Sequence, residues 1–150
     1  MMPRVKRLTA DDTALLREAA ALEALCIHEP WSYASFAAEA EKENGYVLAA
    51  LDENDRLIGL LTACAVMDTA DLTNVAVHPA ARRCGIAGML IRTLLHELKD
   101  TSIFLEVRAS NEAAIALYRK YGFIPVGMRK RFYRNPAEDA ILMQYGGKLC

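Results

Sequence analysis

Apolar positions along the chain keep two spacings, and the switches between them mark its elements. Leu15, Leu16, Ala19, Leu22, Leu25 and Cys26 recur at three and four, which traces one face of a helix. Thr9 stands ahead of them as an N-cap, with Asp11 and Asp12 in the first turn, where carboxylates complement the helix dipole. Pro30 breaks the pattern. Ser32 can cap a second helix running through Phe36 and Ala40 to Asn44, with Gly45 as its stop. Residues 46–51 and 57–66 are extended runs joined by the turn Glu53-Asn54-Asp55, so they predict a hairpin, with a bulge marked by Gly59. A strand over residues 72–77, ending in the β-branched run Asn74-Val75-Ala76-Val77, stops at Pro79, which cannot donate to a sheet ladder.

After Gly85 the helical spacing resumes, through Ile86, Met89, Leu90, Leu94, Leu95 and Leu98. Residues 102–108 predict a strand with Ile103, Leu105 and Val107 on one face and Phe104, Glu106 and Arg108 on the other. Asn111 or Ser110 caps a helix over 112–121, which Gly122 closes. Residues 123–133, bent at Gly127, and 138–145 predict a closing antiparallel hairpin that turns at Asn135-Pro136. Residues 4–8 alternate and give a short first strand. The sum is an α+β fold with a mixed, mostly antiparallel sheet: a front hairpin, one β-α-β-α unit and a closing hairpin. A length of 150 residues predicts one domain over 1–150.

Composition changes the picture mainly by exclusion. Hydrophobic residues make up 53% and charged residues 25%, which argues against disorder. A net charge of −1 supplies no broad attraction to nucleic acid or anionic membrane, so neither is an expected partner. No apolar run reaches spanning length, and residues 1–9 are too charged for a signal peptide. Cys26, Cys64, Cys84 and Cys150 are scattered, which suits a reducing cytoplasm. With His28, His78 and His96 also far apart, no metal is expected.

The chemistry that stands out is the turn after the strand at 72–77. The first amides of a helix lack internal partners and sit at the positive end of its dipole. Gly85, Ala87 and Gly88 let a ligand come close to them, and Arg82 and Arg83 add charge. The turn therefore reads either as a pyrophosphate site or as an ordinary strand-to-helix turn with soluble arginines. Glu106 reads either as an exposed strand residue paired with a basic neighbour or as a partly buried carboxylate poised as a base. Asn111 is most simply a cap and Tyr118 a packing aromatic, yet they lie two turns apart on one helix face. Trp31, in the Pro30 interruption, either anchors packing, the favoured reading, or lines a substrate mouth.

Arg82-x-x-Gly85-x-Ala87 resembles the R/Q-x-x-G-x-G/A signature of the GNAT family of acetyl-CoA-dependent N-acetyltransferases. The runs L-E-V-R-A-S-N (105–111), A-I-A-L-Y (114–118) and Y-G-F (121–123) resemble, within that family, the bacterial enzymes that acetylate the N-terminal alanine of a ribosomal protein. So do V-A-V-H-P (75–79), E-D-A-I-L-M (138–143) and P-W-S (30–32), in order along nearly the whole chain.

The resemblance implies a GNAT fold, an acyl-CoA N-acyltransferase sheet of about seven strands flanked by about four helices. It implies acetyl-CoA as co-substrate and, as acceptor partner, the N-terminal amine of a protein, the alanine of a small-subunit ribosomal protein. Val75, Ala76 and Val77 would pair with the pantetheine arm, and Arg83, Cys84, Gly85, Ile86, Ala87 and Gly88 would hold the pyrophosphate. Asn111 would touch the cofactor, Glu106 would be the general base through water, and Tyr118 the acid for the departing thiolate. The segment 131–136 is shorter than its usual counterpart, and Phe132 stands where relatives often have Tyr, which bears on peptide preference. Two alternatives are a GNAT enzyme for lysine, polyamine or another small amine, and a non-catalytic acetyl-CoA-binding regulatory module.

Overall fold

The computed structural model describes residues 2–146. It runs through β1 (Arg4–Arg7), α1 (Thr13–Cys26), α2 (Tyr33–Glu41), β2 (Gly45–Leu51), β3 (Leu57–Val66), β4 (Thr69–Val77), a 3-10 turn (Pro79–Ala81), α3 (Ile86–Glu97), β5 (Ser102–Arg108), α4 (Glu112–Lys120), β6 (Ile124–Tyr133) and β7 (Glu138–Tyr145). The strands follow the sheet order β1-β2-β3-β4-β5-β7-β6. All the described pairings are antiparallel except β4 with β5, which is parallel and is registered at Thr69–Asp71 against Ser102–Phe104. The chain divides into two units, Met1–Cys64 with Thr73–Glu97, and Ala65–Leu72 with Leu98–Cys150.

The first unit buries one apolar cluster in which Leu16, Ala19 and Leu22 of α1 meet Phe36 of α2 and Val47, Ala49 and Leu60 of β2 and β3. Burying a side chain of Leu or Phe size contributes about 1.5–3 kcal/mol, so these few residues decide the layer. Trp31 packs on Phe36 with ring centroids 5.3 Å apart, the anchoring role favoured for it. In the second unit Ile103, Leu105 and Val107 are buried, as their alternation predicts, and Phe123 lies between Tyr118 and Tyr145 at 5.7 and 5.5 Å.

Four boundaries or faces differ from the sequence reading. Helix α1 begins at Thr13 rather than after Thr9, because Asp12 turns back to accept the Thr9 N–H at 2.8 Å and closes a turn of its own. The Lys6 ammonium at 2.8 Å, and after it that bond, hold the Asp12 carboxyl below its ordinary pKa. On α1, Leu25 is exposed and Glu23 is buried, so the inward face is rotated from the purely apolar one. Helix α2 does start at Ser32, whose hydroxyl accepts the Ser35 N–H at 3.1 Å, but it ends at Glu41. Gly45 opens β2 instead of stopping that helix, and its lack of a side chain has a steric reason: a Cβ there would lie 2.1 Å from the Glu39 carbonyl oxygen. Finally, β4 starts at Thr69, three residues ahead of the expected strand, where the Val66–Thr69 turn closes with the Thr69 hydroxyl donating to the Val66 carbonyl.

The bulge expected at Gly59 is present. Ala50 pairs with Gly59 and Leu51 with Leu57, which leaves Ile58 as the extra residue on β3. The Ile58 carbonyl takes the His78 N–H at 2.8 Å and so fixes where β4 ends. Strand β6 shifts register between Pro125 and Gly127, where a bend was expected, and again between Arg129 and Tyr133.

Candidate active site

The turn between β4 and α3 belongs to the first unit. Its opening is a 3-10 turn over Pro79–Ala81 where only a loop was expected, capped by His78, whose Nδ1 accepts the Ala80 N–H at 3.0 Å. Arg83 and Gly85 then take left-handed conformations, φ +65° and +75°. Gly85 is needed for that dihedral and not for space, because a Cβ there would meet nothing within 4 Å. The first ladder bond of α3 runs from Met89 N–H to Gly85 O at 3.0 Å, so the amides of Ile86, Ala87 and Gly88 have no acceptor within the helix. Ile86, Gly88 and Leu90 are buried and fasten the helix to the unit, while Arg82, Arg83, Cys84 and Gly85 are exposed. The approach is close at Gly59, where a Cβ would sit 2.7 Å from Ile86 Cγ2. A helix start with clear space beside it, unpaired amides and flanking guanidinium groups fits a diphosphate.

Upstream, Val75 and Val77 are half-buried and Ala76 is buried. They lie beyond the registered β4–β5 pairs, which end at Asp71 among the described residues. Arg82 folds back, and its Nε donates to the Val77 carbonyl at 3.3 Å, leaving Arg83 as the arginine of the turn's left-handed segment.

The second unit carries the titratable cluster. Glu106 lies on the open face of β5 with 31% of its side chain exposed, and the Arg129 Nε of β6 is 3.8 Å from its carboxylate. That is the exposed, base-paired arrangement named among the sequence readings, and it leaves the carboxylate accessible to water. Burial falls on the tyrosine instead: Tyr118 is only 9% exposed. Burial, and secondarily the nearby Tyr133 phenol, push its pKa up to about 12. Burial and then the Glu106 charge raise Tyr133, against a lowering by Arg108. The Glu106 charge thus acts on Tyr133, and Tyr133 on Tyr118.

Tyr133, Arg108 and Glu138 were not among the sequence candidates. Arg108 donates to the carbonyls of Arg134 at 3.0 Å and Pro136 at 3.1 Å, lies 3.4 Å from Glu138 and places its guanidinium 4.5 Å from the centre of the Tyr133 ring. Glu138 accepts the Ser110 N–H, and hydrogen bonds from Ser110, then Arg108, hold its carboxyl below the ordinary value. The signal for Arg108 was its place on the Glu106 face of β5. Nothing in the spacing singled out Tyr133, because the hairpin turn decides which of Phe132 and Tyr133 turns inward. Asn111 caps α4, accepting the Ala114 N–H at 3.1 Å, which is its simpler reading.

The chain matches the profile of the Acetyltransferase (GNAT) family over residues 13–123. It is 37% identical to the [ribosomal protein bS18]-alanine N-acetyltransferase of Escherichia coli strain K12, covering 76% of this chain and 79% of that protein. It is 36% identical to the N-alpha-acetyltransferase RimI of Mycobacterium tuberculosis, covering 77% of this chain and 75% of that one. Among solved structures, the ribosomal-protein-S18-alanine N-acetyltransferase of Escherichia coli superposes with a TM-score of 0.85 at 31% identity, covering 99% of both chains.

Proposed function

We propose, from the premise that this chain belongs to the GNAT acetyltransferase family, that it moves the acetyl group of acetyl-CoA to the N-terminal α-amine of a protein in the cytoplasm. The acceptor is the N-terminal alanine of a small-subunit ribosomal protein, the substrate class printed in the names of its relatives. The observation that carries the reading is the start of α3: amides of Ile86, Ala87 and Gly88 without helical acceptors, beside the clear space at Gly85.

Each unit has its part. In the first, Arg83, Cys84, Gly85, Ile86, Ala87 and Gly88 hold the diphosphate, and Val75, Ala76 and Val77 offer main-chain groups to the pantetheine arm and the thioester carbonyl. A main-chain donor aimed at such an oxygen is worth about 2.7–4 kcal/mol as charge develops on it. In the second, Glu106 accepts the proton of the acceptor amine through water, Asn111 touches the cofactor, and Tyr118 donates to the departing sulfur. The amine nitrogen attacks the carbonyl carbon, the C–S bond breaks, and the sulfur leaves as a thiol.

The proton balance favours an α-amine. Its pKa is about 7.7–8.0 against about 10.4 for lysine, so obtaining the neutral amine costs roughly 3–4 kcal/mol less. A water-exposed carboxylate is base enough for the former. Tyr118, with its pKa at about 12, keeps its proton throughout the neutral range and is always ready to donate. The apolar surroundings that penalise its phenolate also penalise a thiolate formed beside it, which raises that sulfur's demand for the proton.

The test offers acetyl-CoA with an Ala-starting peptide, and separately with an N-blocked peptide containing lysine, and reads free thiol and peptide mass. Turnover on the first and little on the second is expected. Turnover on lysine alone would reverse the acceptor. Thermal stabilisation by acetyl-CoA without turnover on any amine would make the chain a binding module.

A further inference from the structure

One charged side chain in the first unit is wholly buried and has no part in the reaction as described above. Glu23 of α1 has zero exposure. Its two carboxylate oxygens face two different elements. Oε2 accepts the backbone N–H of Trp31, in the connection between α1 and α2, at 2.8 Å. Oε1 accepts the side-chain amide of Asn74, in β4, at 2.7 Å. The chain of bonds continues inward: the buried Thr62 hydroxyl of β3 donates to Asn74 Oδ1 at 2.8 Å and lies 2.6 Å from the Thr73 hydroxyl. A buried charge is retained at a cost unless its bonds are complete, and here both oxygens are occupied by donors.

The elements tied together give the arrangement its meaning. Asn74 immediately precedes Val75, the first residue assigned to the thioester segment. Trp31 sits in the connection that was the alternative candidate for a substrate mouth, and its ring is fixed against Phe36. We propose that Glu23 is a positioning residue for acyl transfer: it bolts the α1–α2 connection to the residue before the thioester segment, so that acceptor and acyl group meet at one fixed spacing. The inference rests on the proposed reaction and adds to it a group that touches neither substrate.

The hydrogen-bond polarity makes a sharp test. A glutamine at position 23 can still accept the Trp31 N–H with its oxygen. Its amide then points at Asn74, whose own amide must flip to present Oδ1. The flipped Asn74 donates to Thr62, and Thr62 donates to Thr73. Every partner stays satisfied, so Glu23→Gln preserves the tie without the charge, whereas Glu23→Ala and Asn74→Ala cut it.

Steady-state turnover of the Ala-starting peptide, corrected for folded fraction, should fall about 100-fold in Glu23→Ala, because misplacing reacting groups by about 1 Å costs that much. Asn74→Ala should fall about tenfold, the Glu23→Ala/Asn74→Ala double variant no further than Glu23→Ala, and Glu23→Gln should stay within about threefold of wild type. Acetyl-CoA affinity by calorimetry should stay within about twofold in all of them, since the diphosphate grip lies elsewhere. If Glu23→Ala does not fold, Asn74→Ala and Glu23→Gln carry the test. Unchanged kcat per folded molecule in the alanine variants, single effects that multiply in the double, or a Glu23→Gln variant as impaired as Glu23→Ala would each overturn the proposal. Amide hydrogen exchange at Trp31, read with no substrate present, separates the two levels. A wild-type protein with a protected Trp31 amide and no peptide turnover refutes the reaction and the positioning role with it. An active protein whose Trp31 amide exchanges equally fast with and without Glu23 refutes the tie alone.

Discussion

In the first unit the candidate anion site is made of main chain. Its groups are the amides opening α3, preceded by two left-handed residues, with clear space beside Gly85. In the second unit the candidate catalytic groups are side chains, Glu106 and Tyr118, while Arg108 and Glu138 hold the β6–β7 hairpin that carries Tyr133. A main-chain site is set by local geometry and tolerates exchange of most side chains around it. A side-chain site depends on partners far away in sequence, here 26 to 30 residues from Arg108. The first should therefore fail through backbone strain, the second through the loss of single functional groups.

The largest effect should come from Tyr118→Phe. General-acid groups contribute about 10²–10⁴-fold, so turnover should fall at least 100-fold while acetyl-CoA affinity stays near wild type. Thiol release and calorimetry measure the two. An equal loss in affinity would mean that the cluster also binds, and the contrast between units would collapse. In wild type, because the Tyr118 pKa lies near 12, the rate should show no alkaline fall due to this group between pH 7 and 10.

Next in size, Gly85→Val places a β-branched residue at φ +75°. The strain, of order 1–3 kcal/mol, should re-aim the amides and weaken acetyl-CoA binding about tenfold or more, with kcat at saturation changed far less. Unchanged affinity in this variant would show that the helix start is not the grip.

Smaller again, Arg108→Met releases the carbonyls of Arg134 and Pro136 and removes the cation beside the Tyr133 ring. The peptide KM should rise several-fold and acetyl-CoA affinity should not move. The smallest effect belongs to Glu138. Its pKa is lowered on folding, so its contribution is present above the ordinary carboxylate pKa of 4.5 and is lost as pH falls through the lower folded value. Melting temperature should therefore drop more in wild type than in Glu138→Gln as pH is taken below that point, and parallel curves would remove Glu138 from the hairpin's support.

The contrast also explains what could be read in advance. Alternation in residues 102–108 identified β5 and its two faces, and Gly122, with φ +97°, closes α4 as expected. The strand, basic turn and helix at 72–98 were visible because the residues that make the site are contiguous. Tyr133 was not visible, because its neighbours Glu106 and Arg108 reach it through strand pairings. Glu23 was not visible either: a glutamate within an amphipathic helix looks like solvent-facing charge, and only the donors from Trp31 and Asn74 make burial tolerable. Leu25 is the converse case, an apolar residue whose spacing placed it inside and whose position in the fold leaves it 61% exposed.

The sequence by itself determined the α+β class, the order of its strands and helices, the family, and the strand, basic turn and helix at 72–98, since each depends on spacing within a short stretch of chain. The tertiary structure decided which charged groups lie inside, which aromatic of the 132–133 pair joins Tyr118, and how the hairpin is held. Those outcomes depend on hydrogen-bond donors supplied by distant segments, and a linear pattern carries no record of which segments will meet.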